Sequence, residues 1–118
     1  MSNRVAAAAG VIEFFMGRTD FKALDKVDLL FLTCAGEQAV TEATNLSRIV
    51  TGLGCLISED QTRDGAQSGA LWDDDLPSVL WNIANQIDAI GQLTFVASEA
   101  DYELRRRAEE GAKEVGHG

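Results

Sequence analysis

The 118-residue chain predicts an all-α fold: a long antiparallel helical hairpin plus an N-terminal helix, completing a helical bundle as a homodimer. Three observations carry that expectation. An apolar seam advances by alternating steps of three and four through Leu29, Leu32, Gly36, Ala39, Ala43, Leu46, Val50, Leu53 and Ile57, the pattern of a long helix packed lengthwise on another. A second seam runs through Leu76, Leu80, Ile83, Ile87, Ile90, Thr94 and Ala97, with Leu104 beyond. Finally, the chain has one proline, Pro77, and no run of β-branched residues alternating over a strand's length, which favours helix over sheet.

Taken in order, the first helix spans about residues 3–16. Ser2 or Asn3 stands as its cap, Val5, Ala8, Ala9, Ile12, Phe15 and Met16 share one face, and Gly17 sits at its end. Arg18 to Leu24 is a connector in which Asp20 is placed to cap a short extra turn. Asp25 caps the second helix, about 26–58. Gly52 and Gly54 lie inside it, each costing about 1 kcal/mol relative to alanine, and any kink is expected there. Residues 60–72 read as a polar, glycine-containing loop, longer than the two to eight residues usual in bundles. Asp73-Asp74-Asp75-Leu76-Pro77 opens the third helix, about 74–108; carboxylates and proline suit the unpaired N–H groups and positive dipole of a first turn. Asp101 with Arg105 and Glu103 with Arg107 form i, i+4 pairs near its end, on what reads as an exposed, salt-bridged surface. Residues 112–118 are expected to be a flexible tail. The whole, 1–118, makes one helical domain.

Composition narrows the function. The formal charge of −9 argues against direct nucleic-acid binding, which needs a clustered cationic face, and would steer the chain towards a basic protein partner. No stretch reaches the roughly 18 uninterrupted apolar residues of a membrane span, and Gly10 and Glu13 interrupt the only signal-like run. A cytoplasmic protein is expected. Cys34 and Cys55, 21 positions apart on one helix, would lie about 30 Å from each other, too far for a disulfide. They are expected to be buried free thiols. Aromatics are only 7% of the chain and much of its apolar content is alanine, so its core depends on close helix approach or on a second subunit. Gly36, Ala39 and Ala43 mark the expected closest approach.

No catalytic set emerges. The single histidine, His117, stands in the terminal Gly-His-Gly, so neither cysteine has an ordered imidazole partner and zinc lacks ligands. Gly52-Leu53-Gly54 follows a helix and precedes no Lys-Ser or Lys-Thr, unlike a phosphate loop. The paired E-x-x-E and E-x-x-D motifs of helical metal-dependent nucleotide pyrophosphohydrolases are missing: Glu37 and Glu42 are five apart, and Asp88 has no acidic neighbour at helical spacing. No cofactor is expected. Asn82, Asn85, Gln86 and Gln92 read as a solvated strip.

The expected function is therefore a non-enzymatic helical interaction or regulatory protein acting as a homo-oligomer. Its candidate surface is Trp72, Asp73, Asp74, Asp75, Trp81 and Phe95, because Trp81 and Phe95 lie off the third helix's seam and tryptophan is enriched at interface anchors. Two alternatives are an acidic inhibitor or nucleic-acid mimic, with Glu59, Asp60 and Asp73–Asp75 as one patch, and a metal-dependent enzyme using carboxylates alone.

Overall fold

The computed structural model describes residues 6–61 and 75–116. Its helices are α1 (Ala8–Met16), α2 (Lys26–Thr33), α3 (Ala35–Gln61) and α4 (Leu76–Gly116), with a single 3₁₀ turn, Phe21–Ala23, ahead of α2. The fold is all-α, a long pairing of α3 with α4 to which the N-terminal helices are added.

The expected 26–58 helix is divided, and at Cys34 rather than at its glycines. The Cys34 N–H donates to the carbonyl of Phe31 at 3.1 Å, a 3₁₀-type bond in place of the α-helical one to Leu30. The Leu30 carbonyl instead accepts from the Thr33 hydroxyl at 2.6 Å and from the Cys34 thiol at 3.5 Å. Side-chain donors have displaced a backbone bond, and the helix restarts at Ala35. Gly52 and Gly54 stay inside an unbroken α3, since one glycine's cost is small against a full turn of tertiary packing. That helix also takes in Asp60 and Gln61, expected to start the loop.

Caps behave as their residue types predict. Asp25 accepts from the Asp28 N–H at 2.8 Å and Asp20 from the Lys22 N–H at 3.1 Å. By contrast, α1 begins at Ala8, with extended Ala7 at the cap position and no side-chain cap bond. Short alanine-rich segments are marginal helices in water, and Ala6 and Ala7 offer little side chain to dock. At the other end of α1, Gly17 takes the cap position and Thr19 Oγ1 donates to the Phe15 carbonyl at 2.7 Å. Arg18 lies 3.7 Å over the Phe14 ring.

α4 is the spine. Its 41 residues span about 60 Å, and α1, α2, α3 and the 3₁₀ turn all pack on it. Gly36 faces Ala97, where an added Cβ would lie 3.4 Å from the alanine methyl. Further along, Val40 and Ala43 share a groove with Ile90 and Thr94, so α3 and α4 run antiparallel. Of the expected close-approach residues, Ala39 is buried and Ala43 exposed.

Instead of fraying near residue 108, α4 continues through Gly111 to Gly116, so residues 112–116 are helix and not tail. Arg106 Nη1 to Glu110 Oε1, at 2.7 Å, carries side-chain support into that last stretch. Its buried face also differs from the expected seam. Val96, Ala100 and Glu103 are buried, whereas Leu80 and Ile87 are 63% and 56% exposed. A 3.5-residue pattern drifts about 20° per heptad around a straight helix, and α1 and α2 claim the side that the seam leaves.

The core is thin. Among the described residues, Leu29, Ala39, Leu46, Val96 and Ala100 are the buried apolar ones. The chain measures 79 × 31 × 19 Å with a radius of gyration of 20.8 Å, against about 13.5 Å for a compact domain of this length. Its accessible surface, 8722 Å², exceeds by about 2,500 Å² the value usual for this mass.

Candidate interaction surface

At the C-terminal half of α4, two of the three arginines close over a buried carboxylate. Glu103 is 2% exposed. Arg106 grips it bidentately, Nη2 to Oε1 at 2.6 Å and Nε to Oε2 at 2.9 Å, and Arg107 Nε donates to the same Oε1 at 3.0 Å. Hydrogen bonding to Arg106 pulls the carboxyl down from 4.5 to about 2, against the opposing pull of desolvation. The same bond raises the Arg106 guanidinium further above its ordinary range. Arg107 then reaches across the fold. Its Nη2 donates to the carbonyls of Leu24, Lys22 and Phe21 at 2.6, 3.1 and 3.4 Å, holding the 3₁₀ turn to α4. The expected Glu103–Arg107 and Asp101–Arg105 pairs both form. Only the second is the exposed surface bridge that the charge run suggested; Glu103 is a structural anchor. No buried polar side-chain atom among the described residues lacks a partner, so this cluster holds structure and presents no free acid or base.

Beneath α1 lies an apolar cleft of about 570 Å³, lined by Val11, Phe15, Met16, Phe31, Leu32 and Leu93 among others, with Cys34 at its edge. Cys34 and Cys55 are free, and both are exposed rather than buried. The Cys34 thiol turns back onto the Leu30 carbonyl at the helix break, and Cys55 lies beyond Leu46, the last buried residue of α3. Among the described residues, no three His, Cys, Asp or Glu side chains are grouped to hold a metal. No helix there is long and apolar enough to cross a membrane.

The most unusual surface is the outward face of α4, opposite α3. Trp81 is 66% exposed, Phe95 49% and Tyr102 67%. These three fall at seven-residue intervals with Asp88 between the first two, so they line one stripe. Phe95 borders α1 beside Met16 and Arg18, but α1 leaves it half uncovered. Trp81, 14 positions nearer the start of α4, is more exposed than Phe95. Leu80 and Ile87 widen the stripe. A surface helix ordinarily keeps one apolar face and turns polar groups to water; α4 is apolar on both.

No protein-family model, curated protein or solved structure matches the chain. The reading of its surface therefore rests on its own residues.

Of the expected surface residues, the structure places Trp81 and Phe95 on this outward stripe and Asp75 just ahead of α4, exposed. Trp72, Asp73 and Asp74, like residues 62–71 of the expected loop, lie outside the described residues. Sequence reasoning missed Tyr102 and the alternation described below. The signal was present: scanning α4 for a second heptad track, rather than only the first, finds Trp81, Phe95 and Tyr102.

Proposed function

We propose that the chain is a non-enzymatic helical interaction protein that acts as a homo-oligomer in the cytoplasm. The observation that supports this most is the doubly apolar α4. Its inner face is used by α1, α2 and α3, and its outer face exposes Trp81, Phe95 and Tyr102 to water. Exposed contiguous apolar surface is the mark of an association site, and an excess surface of about 2,500 Å² is more than the roughly 800 Å² per partner of a standard interface. The two unbridged cysteines suit a reducing compartment. Regulation or accessory action through this surface is the role proposed, and the −9 charge favours basic surfaces among any further protein partners.

Sedimentation equilibrium of the full chain tests the reading. A mass of at least twice 12.7 kDa at tens of micromolar is expected. A strictly monomeric chain over that range would contradict it.

A further inference from the structure

We infer that the partner on the outward face of α4 is a second copy of this chain, running antiparallel and centred on the Ala89–Ile90 peptide. This rests on the interaction reading above and adds the partner, the surface and the register. The stripe alternates in size along its length. Trp81, Phe95 and Tyr102 are its large members. Between them stand Ala84, Gly91 and Ser98, also seven residues apart and all exposed, with Ser98 at the border of the groove that α4 shares with α3. A Cβ at Gly91 would meet nothing within 4 Å in this chain, so no internal contact calls for a residue that weakens a helix interior.

Knobs need holes, and this stripe supplies both to itself. Antiparallel pairing about residues 89 and 90 sets Trp81 against Ser98 of the second copy and Phe95 against its Ala84. Tyr102 then meets its Pro77, and Asp88 its Gly91. Sliding by one heptad loses an aromatic in either direction. One shift carries Tyr102 past the start of the opposing α4, and the other faces Trp81 with Arg105. A parallel pair would stack Trp81 on Trp81 and leave Ala84 opposite Ala84. It would also place like ends together, whereas the antiparallel pair brings exposed Asp75 level with Arg105, which is 77% exposed.

The area is adequate. At their observed exposures the three aromatics offer about 350 Å² per copy, and Leu80 with Ile87 adds roughly 150 Å². Five side chains thus supply well over half of the ~800 Å² per partner of a stable interface. Asp88 is the one charged group on the stripe. Opposite glycine it keeps a path to water, and as a polar residue in an apolar seam it discriminates among registers.

Cross-linking in the full chain tests this. In a Cys34→Ser/Cys55→Ser background, needed because both native thiols are exposed, Ala84→Cys and Phe95→Cys are prepared separately, mixed and oxidised. The expected product is the mixed disulfide. Each variant alone should give little, because like positions sit about 16 Å apart along the axis, beyond disulfide reach. In parallel, Trp81→Ala should retain its helical circular dichroism while weakening self-association roughly 30-fold. Homodisulfides outrunning the mixed product would overturn the antiparallel register. A dimer unaffected by Trp81→Ala and yielding no mixed product would overturn this surface while leaving the interaction reading intact. A monomeric parent chain would overturn both.

Discussion

Among the described residues, Leu29 is the largest side chain with no solvent exposure, and it sits on the eight-residue α2. Leu29→Ala removes that anchor. Buried leucine-to-alanine changes cost about 2–5 kcal/mol, depending on how far the site can collapse. A short outer helix can settle inward, so a value near the lower middle, about 3 kcal/mol, is expected. For 118 residues the unfolding entropy is about 250 cal/mol/K, which converts 3 kcal/mol into a fall in Tm of about 12 °C. The assay is thermal unfolding followed by circular dichroism at one fixed protein concentration, because association makes Tm concentration-dependent. Val27→Ala on the same helix is the control. Val27 is 75% exposed, so its change should stay within about 0.5 kcal/mol, or about 2 °C. Equal shifts for the two variants would refute the argument that Leu29 anchors α2.

Further consequences follow from the same geometry. Gly52→Ala/Gly54→Ala should raise Tm by about 8 °C, since an added Cβ at either position meets nothing within 4 Å and each replacement gains about 1 kcal/mol of helix propensity; a fall would mean that α3 depends on bending there. The pairing of Glu103 with Arg106 and Arg107 holds its carboxyl at about 2 rather than 4.5, so its contribution is fully present above pH 4.5 and is lost as pH falls through 2. Urea midpoints measured from pH 6 to 2.5 should therefore decline less steeply for Glu103→Gln than for the parent, and parallel curves would count against the anchor. Arg107→Ala should raise amide hydrogen exchange across Phe21–Leu24 roughly tenfold or more, because its charge-assisted bonds hold that turn, and leave the middle of α3 unchanged.

Much of the fold was legible because it rests on local chemistry. Asp20 and Asp25 cap the turns they precede, and the 29–57 seam lies along one hairpin because three- and four-residue steps admit few other structures. The break at Cys34 was not legible. Thr44, Thr51 and Thr94 each donate to the carbonyl four residues back without interrupting their helices. Thr33 alone among these donates three residues back, and composition does not distinguish the two outcomes. Glu103 posed a different difficulty. Its pairing with Arg107 was readable from spacing, but no local spacing announces that Arg107 also bonds a turn more than 80 positions earlier in the chain. The outward stripe was half legible: Trp81 and Phe95 stood off the seam, while their relation to Tyr102 and to the small residues between them required knowing which face α3 occupies.

The bond from Arg107 to the 3₁₀ turn also orders events in time. Phe21 and Arg107 are 86 residues apart, and at about 5–20 residues per second a ribosome needs roughly 4–17 s to make the interval. For most of it α1 and α2 have no α4 to dock against, so Leu29, fully buried in the finished fold, leaves the exit tunnel long before the helix that α2 packs on exists. A segment synthesised early is thus among the last to be secured, and a nascent chain stalled before α4 would display Leu29 to any chaperone that samples it.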